Sequence, residues 1–152
     1  PLTDELIRYS SGVTGIIEAL AGAGIVKAAR TGPGRFAQVS ESMSLRAALY
    51  QRRITGLSDG IGYVVKGVKF DGYVKGILID AKGPGYARFV KNGVFRSWWR
   101  GADVLVQQAL RQLHAAGGAP IRWVFAEEAA ANAARNLLRS RGITGIDIVF
   151  IP

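Results

Sequence analysis

FDGYVKGILIDAKGPGY, residues 70–86, is the stretch whose reading decides the fold. Two apolar runs flank Lys75-Gly76, a pair suited to the tight turn of an antiparallel hairpin. Pairing about that turn matches Val74 with Ile77 and places Asp71 opposite Asp80. Period two puts Asp80 and Lys82 on one face of the same strand. Two acids facing each other across a sheet repel. A divalent cation between them removes that penalty, which makes Asp71 and Asp80 candidate ligands for magnesium or manganese. A cation held there polarises a phosphoryl oxygen and lowers the pKa of a bound water. A neighbouring lysine orients that water or stabilises the pentacovalent phosphate. Asp-x-Lys is also common as an ordinary strand-end ion pair, Asp80 with Lys82 or Lys69, and spacing alone leaves both readings open.

Outward from this hairpin the pattern continues. A second Lys-Gly pair, Lys66-Gly67, separates YVV from VKFDGYV, so that residues 62–83 read as an antiparallel meander of three strands. Upstream, ESMSLRAALYQRRITG, residues 41–56, reads as a helix with Leu45, Ala48 and Leu49 as its apolar stripe and Gly56 as its stop. Downstream, a helix runs from about Ser97 to Ala116, with Ala102, Leu105, Val106, Ala109, Leu113 and Ala116 on one face. IRWVF (121–125) reads as a strand, EEAAANAARNLLRSRG (127–142) as a helix capped by Gly142, and IDIVFI (146–151) as the last strand. The expected fold class is α/β (α+β), a mixed central sheet with an antiparallel meander, flanked by helices and with a crossover joining the later strands.

At 152 residues and 49% hydrophobic, the chain has the size and composition of a single domain with a core. The Gly-Pro-Gly turn in TGPGRFAQVS, residues 31–40, marks the expected boundary. Residues 1–40 are expected to be an N-terminal helical or linker segment, and residues 41–152 the compact domain. Residues 13–29 are apolar but interrupted by Glu18 and Lys27, so they read as a packing helix or linker and no stable membrane span is expected. The chain begins at Pro1, and the expectation is a piece of a longer or processed polypeptide. Twenty Lys and Arg against 11 Asp and Glu give a net charge of +9, which favours polyanionic partners, either nucleic acid or an acidic protein, with an anionic membrane surface as a third possibility. The absence of cysteine excludes disulfides and thiolate metal sites, and a single histidine, His114, excludes a multi-histidine one. A metal would have to be held by oxygen.

Asp71 followed by Asp80-Ala81-Lys82, in the order helix, three strands, helix, strand, resembles the PD-(D/E)xK superfamily, the restriction-endonuclease-like nucleases. YQRRITG (50–56), GVKFDGY (67–73), IDAKGPGYARFV (79–90), QALRQLHAAGGAPIRWVFAE (108–127) and GITGIDIV (142–149) resemble more closely the fifth restriction-endonuclease-fold class of bacterial polymorphic toxin domains, deployed by type VI and related secretion systems. The resemblance implies that Asp71 and Asp80 bind the metal and that Lys82 is the catalytic lysine. It places Gln51, in the YQxxITG motif, where many members of the superfamily carry a glutamate ligand; a neutral amide binds metal more weakly and would position water. Glu41 is the nearest acidic alternative. Phe70 stands where the superfamily name has proline.

Gln108 and Gln112 are four apart and share a helix face. Related nucleases place a glutamine motif on this helix, and two solvated glutamines are the plainer reading. Arg111 reads as a surface or phosphate-contact residue and His114 as helix surface. Gly83-Pro84-Gly85 either brings backbone N–H groups close to phosphate or simply stiffens a turn. Tyr86, Phe89, Trp98 and Trp99 either stack bases or pack. Arg52, Arg53, Lys66, Lys69, Lys75, Arg88, Lys91, Arg96 and Arg100 are candidate phosphate contacts.

The expected function is a metal-dependent nuclease toxin cutting DNA in competing bacteria. It would be the C-terminal part of a secreted effector, delivered into the target bacterial cytoplasm behind an upstream delivery domain or secretion apparatus. A cognate immunity protein, with an acidic surface matching this basic one, would neutralise it. The residues leave open an RNase on the same site, a non-catalytic nucleic-acid-binding domain, and a membrane-active toxin using residues 13–29.

Overall fold

The computed structural model describes residues 32–152. The membrane-active reading of residues 13–29 therefore falls outside the described residues. Among the described residues, no helix is long and apolar enough to cross a membrane.

The elements are β1 (Arg35–Gln38), α1 (Leu45–Thr55), β2 (Ile61–Val65), β3 (Val68–Phe70), β4 (Gly72–Val74) and β5 (Ile77–Lys82). A single 3-10 turn (Ala87–Phe89) follows, then β6 (Val90–Lys91), β7 (Val94–Phe95), α2 (Gly101–Ala116), β8 (Ile121–Phe125), α3 (Glu128–Ser140) and β9 (Ile146–Phe150). The main sheet has the order β4-β5-β8-β9, with β4 antiparallel to β5 and the other neighbours parallel. It is the expected mixed sheet of a restriction-endonuclease-like core, with helices on both faces. The crossovers through α2 and α3 are what let β5, β8 and β9 run parallel.

Both Lys-Gly pairs close hairpins as their sequence predicts. Lys66 and Gly67 have φ of 47° and 79°, and Lys75 and Gly76 have 51° and 78°. Two consecutive positive φ values give a turn whose twist matches that of the flanking strands. The three-strand meander is corrected, however. VKFDGYV is interrupted at Asp71, so β3 stays with β1 and β2 in one sheet while β4 joins β5 in the other. A second difference is β1, which pairs with β2 from Arg35↔Val64 to Gln38↔Ile61, on the linker side of residue 41. A third is the β6–β7 hairpin about Asn92 (φ 53°) and Gly93 (φ 77°). Asn-Gly is a strong hairpin signal in its own right.

The first helix starts four residues later than expected. Ser44 Oγ accepts the Ala47 N–H at 3.2 Å, and Gly56 ends the helix at φ 70° with its N–H on the Arg52 carbonyl. Its buried face is Tyr50, Ile54 and Thr55, whereas Leu45 and Leu49 are 74% and 53% exposed. Of the expected stripe, Leu45 and Leu49 therefore face away from the core and only Ala48 is half-buried. The helix lies on the sheet through Tyr50 and Ile54, which pack against Val74, Ile79 and Val124. The opposite face of the sheet carries the larger core, where Leu78, Ile121, Trp123 and Phe125 meet Leu105 and Ala109 of α2. Ala130, Ala131 and Ala134 of α3 bury fully there, their small side chains letting that helix come close. The α2 stripe is otherwise as expected, except that Gln112 is fully buried within it.

Candidate active site

The break at Asp71 builds the site. Its N–H donates to the Ile79 carbonyl at 2.9 Å, just past the last ladder pair, Gly72↔Ile79. A Cβ on Gly72 would stand 3.0 Å from the Thr55 side chain, so the missing side chain lets the end of α1 close on the strand. Asp71 Oδ2 accepts the Ala81 N–H at 2.8 Å, and Oδ1 lies 3.1 Å from Lys69 Nζ. The Asp71 and Asp80 carboxyl groups hydrogen-bond to each other.

Asp80 and Lys82 share the β5 face that looks toward α2, as period two requires. Asp80 Oδ2 accepts from Gln108 Nε2 at 2.8 Å and from Gln112 Nε2 at 2.5 Å. Asp80 Oδ1 lies 3.3 Å from Lys82 Nζ. The Lys82 ammonium also donates to Gln108 Oε1 and sits 4.7 Å from the centre of the Trp123 ring. Trp123, next to Asp80 in the parallel ladder, donates its indole N–H to Gln112 Oε1 at 2.8 Å. Asp71, Asp80 and Lys82 are all buried, at 4–5% exposure. Among the described residues, no buried side-chain nitrogen or oxygen lacks a partner, so the charges are held in a satisfied network.

The two carboxyl groups differ in acidity. Burial, the Asp80 charge and the hydrogen bond with Asp80 push Asp71 well above the usual carboxylate range, against the opposing pull of Lys69 and the Ala81 N–H. Burial also acts to raise Asp80, but the Lys82 charge and hydrogen bonds from Asp71, Gln112 and Lys82 outweigh it and hold Asp80 below its ordinary value. Asp71 is thus the more readily protonated of the two and Asp80 the more readily ionised.

These groups lie in the wall of a cavity of about 660 Å³. Gln51 reaches it from α1, Glu41 and Lys69 from one rim, and Gln108, Arg111 and Gln112 from α2. The structure thus brings all six sequence-chosen residues, Gln51, Asp71, Asp80, Lys82, Gln108 and Gln112, to one cavity. Of the basic candidates named as phosphate contacts, Lys69 and Arg111 line it. Among the described residues, no group of three or more His, Cys, Asp or Glu side chains converges as a metal site. The donor set is two carboxylates, with the Gln51 amide in the same cavity. Two carboxylates suit a magnesium or manganese ion that keeps several of its waters, and a cation between them would relieve the repulsion by Asp80 that helps to raise Asp71. The residues fit the group.

The N–H groups at the end of the Gly-Pro-Gly loop are already taken. Glu127 Oε1 accepts the N–H groups of Gly85, Tyr86 and Ala87 at 2.9, 2.9 and 3.0 Å. The phosphate-cradle reading of that loop is corrected, because a carboxylate of the protein already fills the nest. In the sequence Glu127 is only an acid at a helix start. It stands at the N-cap of α3 but spends its carboxylate on a loop 40–42 residues away, which no local pattern announces. Of the aromatic candidates, Phe89 stacks on Trp99 with ring centres 4.6 Å apart, and Tyr86 meets Trp99 edge-on. Both are packed, while Trp98 is 66% exposed.

The sequence model of the family described as restriction endonuclease fold toxin 5 matches residues 47–128, from α1 to the first residue of α3. No curated protein matches the chain.

Proposed function

Because the chain belongs to the restriction endonuclease fold toxin 5 family, and so to the nuclease toxins, we propose that it is a metal-dependent DNase in which Asp71 and Asp80 hold magnesium or manganese and Lys82 is the catalytic lysine. The observation that carries this reading is the convergence of Asp71, from the break between β3 and β4, with Asp80 and Lys82 of β5 in one cavity wall. When bound, the cation supplies charge to a phosphoryl oxygen and acidifies a water.

The residues of the chain do the rest. Lys82 is aimed by Asp80, by Gln108 and by the Trp123 ring, so its ammonium is held in place before a phosphodiester arrives. A preorganised cation contributes most where water is excluded, and Lys82 is buried. Gln108 touches both Asp80 and Lys82, fixing the spacing between ligand and lysine. Gln51, whose side chain makes no hydrogen bond among the described residues, is free to orient a water. Arg111 and Lys69 offer positive charge at the cavity wall, and the net charge of +9 favours a polyanion.

The wider setting rests on the family resemblance. The domain would be part of a secreted effector of a type VI or related system, act in the target bacterial cytoplasm, and be neutralised by an acidic cognate immunity protein. The test is cleavage of supercoiled plasmid and structured RNA side by side, in magnesium, manganese or EDTA, with wild type and Asp80→Asn. Metal-dependent loss of plasmid that disappears in the variant is the expected result. The same dependence on RNA alone would replace the substrate and keep the site. No cleavage of either by folded, metal-loaded protein would overturn the enzyme.

A further inference from the structure

Asp71 has one oxygen engaged by the backbone, Oδ2 by the Ala81 N–H, while Oδ1 faces the ammonium of Lys69 at 3.1 Å. Lys69 stands two residues before Asp71, in β3 just ahead of the break. Its ammonium also donates to Glu41 Oε1, so one lysine bridges two carboxylates. Glu41 and Lys69 are about a third exposed and line the cavity, whereas Asp71 is buried. A positive charge thus already sits at the ligand oxygen that the backbone leaves open, tethered to a second acid nearer the solvent.

We propose that Lys69 is a resident cation that competes with the divalent metal for Asp71, and that Glu41 is the positioning residue that receives Lys69 when the metal enters. This inference rests on Asp71 being a metal ligand. A metal ion and an ammonium drawn to the same oxygen repel, so they compete for Asp71 Oδ1; Lys82 is kept beside Asp80 by Gln108 and the Trp123 ring, whereas Lys69 has Glu41 to move to. The lysine stem is long and flexible, and its ammonium has three donors of which two are in use. Releasing Asp71 costs it one partner and leaves the other, so the exchange needs no backbone movement. In the metal-free protein the same bridge sets a positive charge against a carboxyl group whose burial disfavours its ionisation. Glu41 thereby acquires a role distinct from that of a metal ligand: its charge acts on the metal through Lys69.

The test measures manganese binding by calorimetry, without nucleic acid, on wild type, Lys69→Met, Glu41→Gln and the double variant. Lys69→Met should bind manganese about tenfold tighter, having lost the competitor. Glu41→Gln should bind it about fivefold more weakly, since the released ammonium has no acceptor. In the Lys69→Met background the Glu41→Gln change should alter affinity by less than about twofold, the scatter of non-interacting pairs. Lys69→Gln provides the same comparison if Lys69→Met melts early. Unchanged or weaker binding by both Lys69 variants overturns the competition. An equal loss from Glu41→Gln in both backgrounds makes Glu41 a ligand and overturns its role as acceptor. Absence of manganese binding in every variant, wild type included, overturns the metal site itself and this inference with it, an outcome distinct from the other two.

Discussion

Trp123 donates its indole N–H to Gln112 Oε1, 2.8 Å away, and so decides which end of that amide faces Asp80. With the oxygen held by the indole, the amide nitrogen points at Asp80 Oδ2. Both residues are fully buried, so neither has water to substitute for the other. Trp123→Phe is expected to destabilise the fold by about 1–3 kcal/mol, the scale for leaving a buried acceptor unpaired. Cleavage should fall about tenfold as the amide loses its orientation. Gln112→Glu, which puts a second carboxylate against Asp80, should cost more than Trp123→Phe in both respects. Urea unfolding and plasmid cleavage measure the two effects.

The catalytic assignment makes its own demand on Asp80 and Lys82. Asp80→Asn and Lys82→Met are each expected to lower cleavage by roughly a thousandfold or more, as removal of a preorganised charge does in other active sites. Their double variant should be little worse than either single one, because the two act as a unit. Circular dichroism should stay native-like. A fully additive loss would separate their roles.

The acidity of the carboxyl pair gives a pH dependence whose sign is fixed. Asp71 is raised in the folded protein, by burial first and then by Asp80. Its contribution to stability is therefore fully present below the unfolded carboxylate pKa and is lost as pH rises through the raised folded value. Asp80 is lowered, so its contribution is present above the unfolded value and is lost as pH falls through the lowered one. In EDTA the wild type should lose stability relative to Asp71→Asn as pH rises from the ordinary carboxylate range, since the amide stands in for protonated Asp71. Metal affinity should rise over the same window, with a proton released on binding. Thermal melts across pH, and calorimetry in two buffers of different ionisation enthalpy, check both.

Glu127 holds the loop that follows the catalytic strand, accepting three backbone N–H groups through one oxygen. Glu127→Ala should cost about 2 kcal/mol, the scale for a hydrogen bond to a charged acceptor. Glu127→Gln, which keeps an acceptor and loses the charge, should cost about half as much. Denaturant midpoints measure this, and hydrogen exchange at Gly85, Tyr86 and Ala87 should accelerate most in the alanine variant.

The sequence alone determined what depends on neighbours a few residues apart. The Lys66-Gly67 and Lys75-Gly76 turns set the hairpin registers, because positive φ at two consecutive residues closes a tight turn wherever it occurs. Period two put Lys82 beside Asp80, and helical spacing put Gln108 and Gln112 on one face. Only the tertiary structure decided which surfaces meet. Leu45 and Leu49 looked like the inner face of α1, yet Tyr50 and Ile54 are the residues that find Val74, Ile79 and Val124 beneath them. A periodic pattern tells which residues share a side and not what that side will touch. The split of VKFDGYV at Asp71, the indole that fixes Gln112, the lysine bridge to Glu41 and the grip of Glu127 on the Gly-Pro-Gly loop all depend on partners distant in sequence or on how two sheets diverge. Such contacts form only when the whole chain closes around one core, and their chemistry is decided by burial that no short window of residues contains.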